Sequence, residues 1–327
     1  MSGLGVSIWT ILIPLIVAFA VGAALGPVVI PFLRKLKASQ TEREYLESHV
    51  AKNGTPTMGG VMILVALLVG TVILAPSHPK VIPVLVLSIG FGLIGFIDDF
   101  LKVVLRRSDG LIAWQKMILQ IVVTTVFCVY LIYYTNVDLK LMVPFSGGSY
   151  LDLGWVAVPI LYFAVIGTVN GTNFTDGLDG LASCVTLVVA LFFLVASILL
   201  GGELEPVSAA MMGALLAFLL YNHYPAKIFM GDTGSLALGG YVAGVAYLLQ
   251  MPLFIIIVGF IYLLEVVSVI LQVGSFKITH GKKRIFRMAP IHHHFEKGGW
   301  SEIRIVITFT LVTVVLCVLG VIGLKGF

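Results

Sequence analysis

The sequence predicts an all-α integral membrane protein, a bundle of ten transmembrane helices that forms a single domain over residues 1–327. Hydrophobic residues make up 59% of the chain and charged residues only 11%, whereas a soluble domain carries about 25% charged residues. Apolar runs recur along the whole length, close to the roughly 20 residues that a helix needs to cross a bilayer. The ten runs cover residues 8–33, 58–75, 81–97, 117–135, 154–170, 181–200, 207–221, 234–250, 252–274 and 304–324.

The first run resembles a signal peptide, since Ala18-Phe19-Ala20 has the small residues of a cleavage site. Because residues 1–9 contain no basic residue and the apolar run is too long, we predict a retained helix. The second to eighth runs contain no Asp, Glu, Lys or Arg. In the ninth run Glu265 lies near mid-membrane, where it is expected either to form a local pair or to line the lipid path.

The longest outer loop, residues 136–154, joins the fourth and fifth helices. Its Gly147-Gly148 lies between short β-prone stretches. This pattern predicts a short external β-hairpin.

Basic residues predict the orientation of the bundle. If the loops 34–57, 98–116, 171–180, 222–233 and 275–304 share one side, that side holds 17 of the 20 Lys and Arg residues. Basic residues are retained on the cytoplasmic side of membrane proteins, so an even number of helices places both termini outside. The net charge of +4 agrees with this bias and indicates no nucleic-acid partner.

Four polar clusters lie between apolar runs, and all fall on the face predicted to be cytoplasmic. Asp98 and Asp99 end the third run, where a carboxylate faces the negative pole of its own helix unless a cation is near. A metal ion or a lysine is therefore expected beside them. The other clusters are residues 173–179, 222–235 and 292–296, and the four together predict one site.

Residues 173–180 place Asn173, Asp176 and Asp179 among glycines between helices five and six. An EF-hand is excluded, because Cys184 stands where its acidic twelfth residue is required. On its own, such a cluster is more often a tight turn with a helix cap than a ligand site.

A glycine-rich turn within residues 222–235 opens helix eight. Backbone amides at a helix N-terminus favour an anion such as phosphate, whereas Asp232 could hold a divalent cation. The alternative is that Asp232 or Thr233 only caps the helix. Phe229 is either buried packing or a platform on which a base stacks.

His292, His293 and His294 are consecutive, so on a regular helix they cannot all face one metal ion. Four basic residues lie nearby, at positions 282–284 and 287. Together they indicate a loop that collects donors for an anionic ligand. Residues 52–60 add another candidate anion contact, although a basic flank of helix two explains that lysine more simply.

Taken together, the motifs resemble the signatures of the bacterial phospho-N-acetylmuramoyl-pentapeptide transferases, within the polyprenyl-phosphate N-acetylhexosamine-1-phosphate transferase superfamily. Each motif is weakly specific, but the set is highly specific, follows the family's order and spans nearly the whole chain. The motifs are residues 52–60, Asp98-Asp99-Phe100, and residues 173–180, 222–235 and 290–296.

The resemblance implies transfer of phospho-MurNAc-pentapeptide from UDP-MurNAc-pentapeptide to undecaprenyl phosphate, giving lipid I and UMP, with Mg²⁺ as cofactor. It implies a multi-pass protein of the bacterial inner membrane, in contact with membrane lipid, with its active site on the cytoplasmic face, as a monomer or a homodimer.

The same resemblance assigns roles to particular residues. Asp98 is the usual candidate for deprotonating or positioning the lipid phosphate, and Asp232 corresponds to the magnesium ligand. The catalytic set is Asp98, Asp99, Asp232, His292 and His293. The substrate-binding set is Lys52, Thr57, Lys102, Asn173, Asp176, Gly177, Leu178, Asp179, Asn222, Phe229 and His294.

The residues by themselves lead to similar chemistry. Two anionic phosphate reactants meet at a membrane surface, so cations must offset their repulsion, and carboxylates would hold a divalent metal. No GxxxxGK[ST] loop occurs in the sequence, which fits a reaction without ATP.

Two alternatives stay open at this point. The first is a transferase that moves GlcNAc-1-phosphate to polyprenyl phosphate, although residues 290–296 resemble the muramoyl branch more closely. The second is an ion-coupled transporter, whose site would lie near the midplane, where only Glu265 is expected. The mechanism, in one step or through an aspartyl-phosphate, and the division of roles between Asp98 and Asp99 are also open.

Overall fold

The computed structural model describes residues 6–36, 54–105, 110–135 and 137–324. Lys52, a predicted substrate contact, lies outside these residues. Within them the protein is helical apart from one two-stranded sheet, which confirms the all-α prediction.

The helices follow the apolar runs in order. Short 3-10 helices precede α5 at Gly154–Val156 and α9 at Pro252–Phe254. The α-helices are α1 (Trp9–Lys35), α2 (Gly60–Val72), α3 (Val81–Val103), α4 (Ala113–Tyr134), α5 (Ala157–Thr175), α6 (Leu181–Leu200), α7 (Glu205–Asn222), α8 (Gly231–Leu248), α9 (Ile255–Val258), α10 (Phe260–Ile278), α11 (Ile291–Glu296) and α12 (Glu302–Leu324).

Eight of the described helices are long and apolar enough to cross a membrane: α1, α3, α4, α5, α6, α7, α10 and α12. The protein is therefore a multi-pass membrane protein. The second predicted run holds α2, which has only 13 residues. The eighth holds α8, which begins with the polar sequence Gly231-Asp232-Thr233. A count of ten crossings stays a prediction.

Helix α8 lies inside the bundle, in contact with α2, α3 and α5. All residues from Thr233 to Leu248 are buried, so neighbouring helices, rather than lipid, surround it. Its contact with α3 is close because Gly95 has no side chain, and a Cβ there would overlap the carbonyl of Asp232. This contact sets the N-terminus of α8 against the last turns of α3.

Helices α3 and α5 extend five or six residues beyond their predicted C-terminal ends. Helix α3 continues through Asp98 and Asp99 to Val103, and α5 continues to Thr175, so that Asn173 lies in its last turn rather than in a loop. Apolar patterning stops where the environment becomes polar, whereas a helix continues while its backbone groups and side chains find partners. The polar residues of both segments are therefore held on helices.

The ninth predicted run is not one helix. Helix α9 ends at Val258, and α10 begins at Phe260 after a break at Gly259. The amide of Gly259 donates to the carbonyl of Ile255 at 2.8 Å, and a Cβ at this position would lie 2.8 Å from the same oxygen. A glycine fits this tight turn without a steric conflict.

The sheet consists of β1 (Leu141–Met142) and β2 (Tyr150–Leu151), which pair antiparallel. The amide of Met142 donates to the carbonyl of Gln250 at 2.7 Å, which attaches the sheet just beyond the C-terminus of α8. A helix of 18 residues spans about 27 Å. The sheet and the polar N-terminus of α8 therefore lie at opposite ends of that helix.

Candidate active site

Three carboxylates that are remote in sequence meet where α3 packs against the N-terminus of α8. Asp98 and Asp99 come from α3 and Asp232 from the first turn of α8, and one oxygen atom from each lies within 4.8 Å of the other two. Asp98 and Asp99 are 1% and 0% exposed. Like charges this close and this far from water require compensating cations.

Two lysines supply positive charge. Lys102 Nζ lies 2.6 Å from Asp98 Oδ2 and 3.2 Å from Asp232 Oδ2. Lys116 Nζ, from the first turn of α4, lies 2.8 Å from Asp232 Oδ2 and 3.8 Å from Asp98 Oδ2. Both ammonium groups thus bridge the same two carboxylates, and the expected cation beside the Asp98-Asp99 pair is present.

Lys116 is a site residue that the sequence analysis missed, because it counted only as a basic flank of helix four. A lysine in the first turn of a helix faces the positive pole and is unfavourable unless a carboxylate compensates. Its position was therefore a usable signal, and the compensating carboxylate is Asp232.

Asp99 has a different environment from Asp98. Its Oδ2 accepts hydrogen bonds from the amide and the hydroxyl of Thr233, at 2.9 and 2.6 Å. Its Oδ1 accepts the amide of Asp232 at 3.1 Å. Asp99 therefore caps the N-terminus of α8 from a neighbouring helix, and the positive pole of α8 stabilises its charge.

The segment before α4 closes over Asp98. The amide of Leu111 donates to Asp98 Oδ1 at 2.6 Å. Gly110 has φ +56°, and a Cβ there would lie 2.6 Å from the same oxygen, so glycine suits both the backbone conformation and the space. One oxygen of Asp98 thus faces backbone and the other faces the lysines.

Helix α5 adds an amide and a carboxyl group to the cluster. Asn173 Nδ2 donates to Asp232 Oδ1 and to Ser235 Oγ, both at 2.8 Å. Asp176 follows the end of α5, where burial raises the pKa of its carboxyl group well above the usual range, and the charges of Asp232 and Asp99 raise that pKa further. The end of α5 therefore belongs to the same electrostatic unit as the cluster.

Asp179 and Asn222, both predicted to bind substrate, hold two loops together. Asp179 Oδ2 accepts the amide of Ala226 at 2.9 Å. Asn222 accepts the amide of Gly180 at 3.1 Å and donates to the carbonyl of Ile228 at 2.9 Å. These bonds fix the loop after α5 against the loop before α8, and direct contact of either residue with substrate stays a prediction.

The segment before α2 pairs with the segment before α8. Phe229 donates its amide to the carbonyl of Pro56 at 2.8 Å and accepts the amide of Gly59 at 2.9 Å. Thr57 is fully buried, and its hydroxyl has no hydrogen-bond partner in the described parts of the chain. Such an oxygen is costly unless a ligand or water supplies a partner. A Cβ at Gly231 would lie 2.9 Å from it, so Thr57 borders the start of α8.

The three histidines of α11 have different partners. His292 Nδ1 lies 3.1 Å from Glu265 Oε1. His293 Nδ1 lies 3.0 Å from a glutamate of its own helix, and His294 Nδ1 accepts the amide of Arg287 at 3.1 Å. In the part of the chain that the structure describes, the histidines join no common metal cluster.

His292 is the histidine that reaches the loop after α5. Gly177 packs so closely against its ring that a Cβ there would overlap Nε2. The next residue, Leu178, is 4% exposed within the hydrophobic core, so its side chain anchors the loop. Substrate contacts of Gly177, Leu178, His293 and His294 stay predictions.

The donor set fits a divalent cation with a preference for hard oxygen ligands, such as Mg²⁺. Three carboxyl groups lie beside two ammonium groups, and the Asp176 carboxyl group lies close by. Asp98 and Asp232 direct oxygens toward a common point between the lysines, whereas Asp99 uses both oxygens on α8. The Oδ2 atoms of Asp98 and Asp232 contact lysine side chains, which a metal ion could displace, so these two residues are the better candidates to hold one.

Comparisons with known proteins identify the family. The model of Glycosyl transferase family 4 matches residues 81–250, which include all three carboxylates. Phospho-N-acetylmuramoyl-pentapeptide-transferase signature 1 matches residues 52–64. The phospho-N-acetylmuramoyl-pentapeptide-transferase of Acetivibrio thermocellus is 47% identical over 95% of this chain and 94% of that protein. The chain belongs to this transferase family.

Further relatives agree. Proteins of the same name from Clostridium botulinum and Clostridioides difficile are 48% and 46% identical, over 96% and 94% of this chain and 97% and 96% of their own lengths. The family resemblance of the motifs is thereby confirmed. A transferase is favoured over an ion-coupled transporter, and the muramoyl branch over a GlcNAc-1-phosphate transferase.

Proposed function

We propose that the protein transfers phospho-MurNAc-pentapeptide from UDP-MurNAc-pentapeptide to undecaprenyl phosphate, with Mg²⁺ held at the carboxylate cluster, and releases UMP. Its family makes it an enzyme of peptidoglycan synthesis that transfers phospho-MurNAc-pentapeptide to a lipid carrier. The UDP donor, the undecaprenyl chain, the metal ion and the roles of the residues are the proposed parts.

The observation that carries the proposal is the convergence of carboxylates and lysines from α3, α4 and α8 at one point. Donor and acceptor are both phosphate anions, and their repulsion opposes any reaction between them. Lys102 and Lys116 are charges that substrate phosphates can recruit, and preorganised cations of this kind lower the barrier to phosphoryl transfer.

The exchange forms one bond and breaks one. An oxygen of the lipid phosphate bonds to the phosphorus that carries the sugar, and that phosphorus loses its bond to the bridging oxygen, which leaves with UMP. One phosphoanhydride replaces another, so no ATP is required and the reaction is expected to be reversible. A magnesium ion held by Asp98 and Asp232 would polarise the phosphoryl oxygens.

Asp98 is the residue that we assign to the lipid phosphate. Its Oδ1 is fixed by the amide of Leu111, and its Oδ2 lies between Lys102 and Lys116. From this position it can hold or deprotonate the acceptor phosphate. Asp99 is assigned to architecture, because its hydrogen bonds set the position of α8 and hence of Asp232.

We assign the donor to the side of the cluster formed by the end of α5 and residue 229. Asn173, Asp176 and Phe229 are only half-buried there, so a ligand can reach them, whereas Asp179 and Asn222 are buried and shape the pocket. Lys52 would join them from the adjoining segment. A base stacking on the ring of Phe229 accounts for an aromatic residue at this place.

The proposal places this site on the cytoplasmic face of the inner membrane and the hairpin on the outer face. The loops that the sequence predicts to share that side hold 17 of the 20 Lys and Arg residues, as expected of a cytoplasmic face. The sheet lies beyond the opposite end of α8, which supports an external position. Ten crossings and external termini follow from the same assignment, and a homodimer stays a prediction.

The proposal is tested with the purified full chain in detergent. The assay measures UMP release and labelled lipid product from UDP-MurNAc-pentapeptide and undecaprenyl phosphate. We expect EDTA to remove activity and Mg²⁺ to restore it, and Asp232→Ala to abolish turnover in a folded protein. The control is Asp138→Ala, which changes an exposed carboxylate near the sheet and should leave activity intact. Full activity of Asp232→Ala, or preferred turnover of UDP-GlcNAc, would refute the proposal.

A further inference from the structure

Glu265 is a buried carboxylate that the proposed reaction does not use. It belongs to α10, is 0% exposed, and its second oxygen, Oε2, has no hydrogen-bond partner among the described residues. An ionisable group enclosed in this way is costly unless it is paired or functional. Within the described parts of the chain, its ion-pair partner is His292.

The neighbours of Glu265 lie at the end of α5 and in the segment that packs on the loop after it. Tyr262, one turn earlier on α10, packs against Gly171 near the end of α5, and His292 packs against Gly177 just after that end. Glu265 is thus level with the polar loop after α5. From here to Ile278, α10 rises about 20 Å further at roughly 1.5 Å per residue.

The contact with Glu265 determines the hydrogen-bonding state of the His292 ring. Nδ1 lies 3.1 Å from Glu265 Oε1, and a carboxylate can only accept a hydrogen bond, so in that pairing Nδ1 would be the donor. Nε2 is then the remaining polar atom of the ring. It is buried and has no partner in the parts of the chain that are described, and it points to the backbone at Gly177.

We propose that Glu265 is a positioning residue for the transfer reaction, which acts by holding the His292 ring so that Nε2 lies against Gly177 and fixes the loop at which the nucleotide-sugar donor binds. This proposal rests on the proposed function, because that function places the donor at the end of α5. The arrangement parallels metal-ligating histidines, whose outer nitrogen is held by a carboxylate that fixes the tautomer and orientation.

The test is steady-state kinetics of a double-mutant cycle between Glu265 and His292. We expect Glu265→Ala to lower kcat about 10- to 100-fold, the loss typical of removing such an outer partner, with little change in KM for the donor. In the His292→Ala background the same change should cost nothing further, because there is no ring left to position. Glu265→Gln should retain most activity, since its amide oxygen can still accept the Nδ1 proton.

The matched control is Ser268→Ala. Ser268 is buried on the same helix, and among the described residues its hydroxyl donates to the backbone carbonyl of Glu265 alone, so its loss should leave kcat unchanged. Equal losses from Glu265→Ala in both backgrounds would show a purely structural role and overturn the proposal. Normal activity of Glu265→Ala or of His292→Ala would overturn it too. The wild-type enzyme distinguishes these failures from a failure of the proposed function. If it makes the lipid product, the proposed function is supported whatever the variants do. If it does not make the product, the proposed function is refuted.

Discussion

Replacing Asp99 and replacing Asp98, its neighbour on α3, are expected to have different effects on stability and activity. Asp99→Ala removes the acceptor of three hydrogen bonds, two from backbone amides and one from the hydroxyl of Thr233. A buried donor left without a partner costs about 1–3 kcal/mol. Three such donors amount to about 3–9 kcal/mol. Removing a buried charge beside Asp232 offsets part of this sum, so we expect a net loss in the lower part of that range or slightly below it.

Asp98→Asn should cost far less stability. An asparagine oxygen can still accept the amide of Leu111, and the side chain of Lys102 is 29% exposed, so water can solvate its ammonium group when the carboxylate is lost. Both lysines also keep Asp232 as a partner. The two substitutions therefore distinguish the structural role proposed for Asp99 from the catalytic role proposed for Asp98.

Thermal unfolding in detergent, followed by loss of monodisperse protein, measures the difference, and the transfer assay is run on the same samples. We expect Asp99→Ala to unfold several degrees below wild type and Asp98→Asn to unfold close to wild type but without activity. Asp99→Asn should unfold at an intermediate temperature. Its side-chain oxygen can still accept a hydrogen bond, whereas its NH₂ group would face one of the remaining donors. If Asp99→Ala unfolds at the wild-type temperature, its role as the cap of α8 is refuted.

Three further outcomes are expected in the transfer assay. Asp98→Asn should lower kcat by at least about 100-fold, and a rate within a few-fold of wild type would remove Asp98 from the chemistry. Lys116→Met should lower kcat about 100-fold through loss of a charge on the phosphates, and added Mg²⁺ should not restore it; restoration would indicate that Lys116 only stands in for metal. Gly177→Ala should lower kcat about 100-fold by displacing the His292 ring. The control is Gly167→Ala, which adds the same methyl group where a Cβ meets nothing within 4 Å. Equal kcat values for the two variants would refute the functional importance of the Gly177–His292 contact.

The clusters at Asp98-Asp99 and Asp232 could be found from the sequence because the membrane makes charge conspicuous. A carboxylate next to a long apolar run has few explanations, and the unfavourable end of its own helix calls for a cation. Lys102 and Lys116 supply it. Lys116 was missed because a lysine at a membrane flank has a sufficient explanation in orientation alone.

Helix ends were less predictable. Apolar patterning marks the bilayer and not the helix, so it predicts a loop at Asn173, whereas α5 continues to Thr175. The break at Gly259 was missed because the sequence around it stays apolar on both sides. Neither event changes the hydropathy pattern from which the runs were identified.

The sequence by itself determined that this is a helical membrane protein, where its polar clusters lie and which family its motifs resemble, because hydropathy and motif order are properties of the chain. Only the tertiary structure decided which side chains of those clusters contact one another. Asp99 caps α8, Asp98 and Asp232 share two lysines, and Glu265 holds His292. These pairings join residues far apart in the chain, and the packing of α8 against α3 and of α11 against α10 sets them, so local sequence carries no record of them.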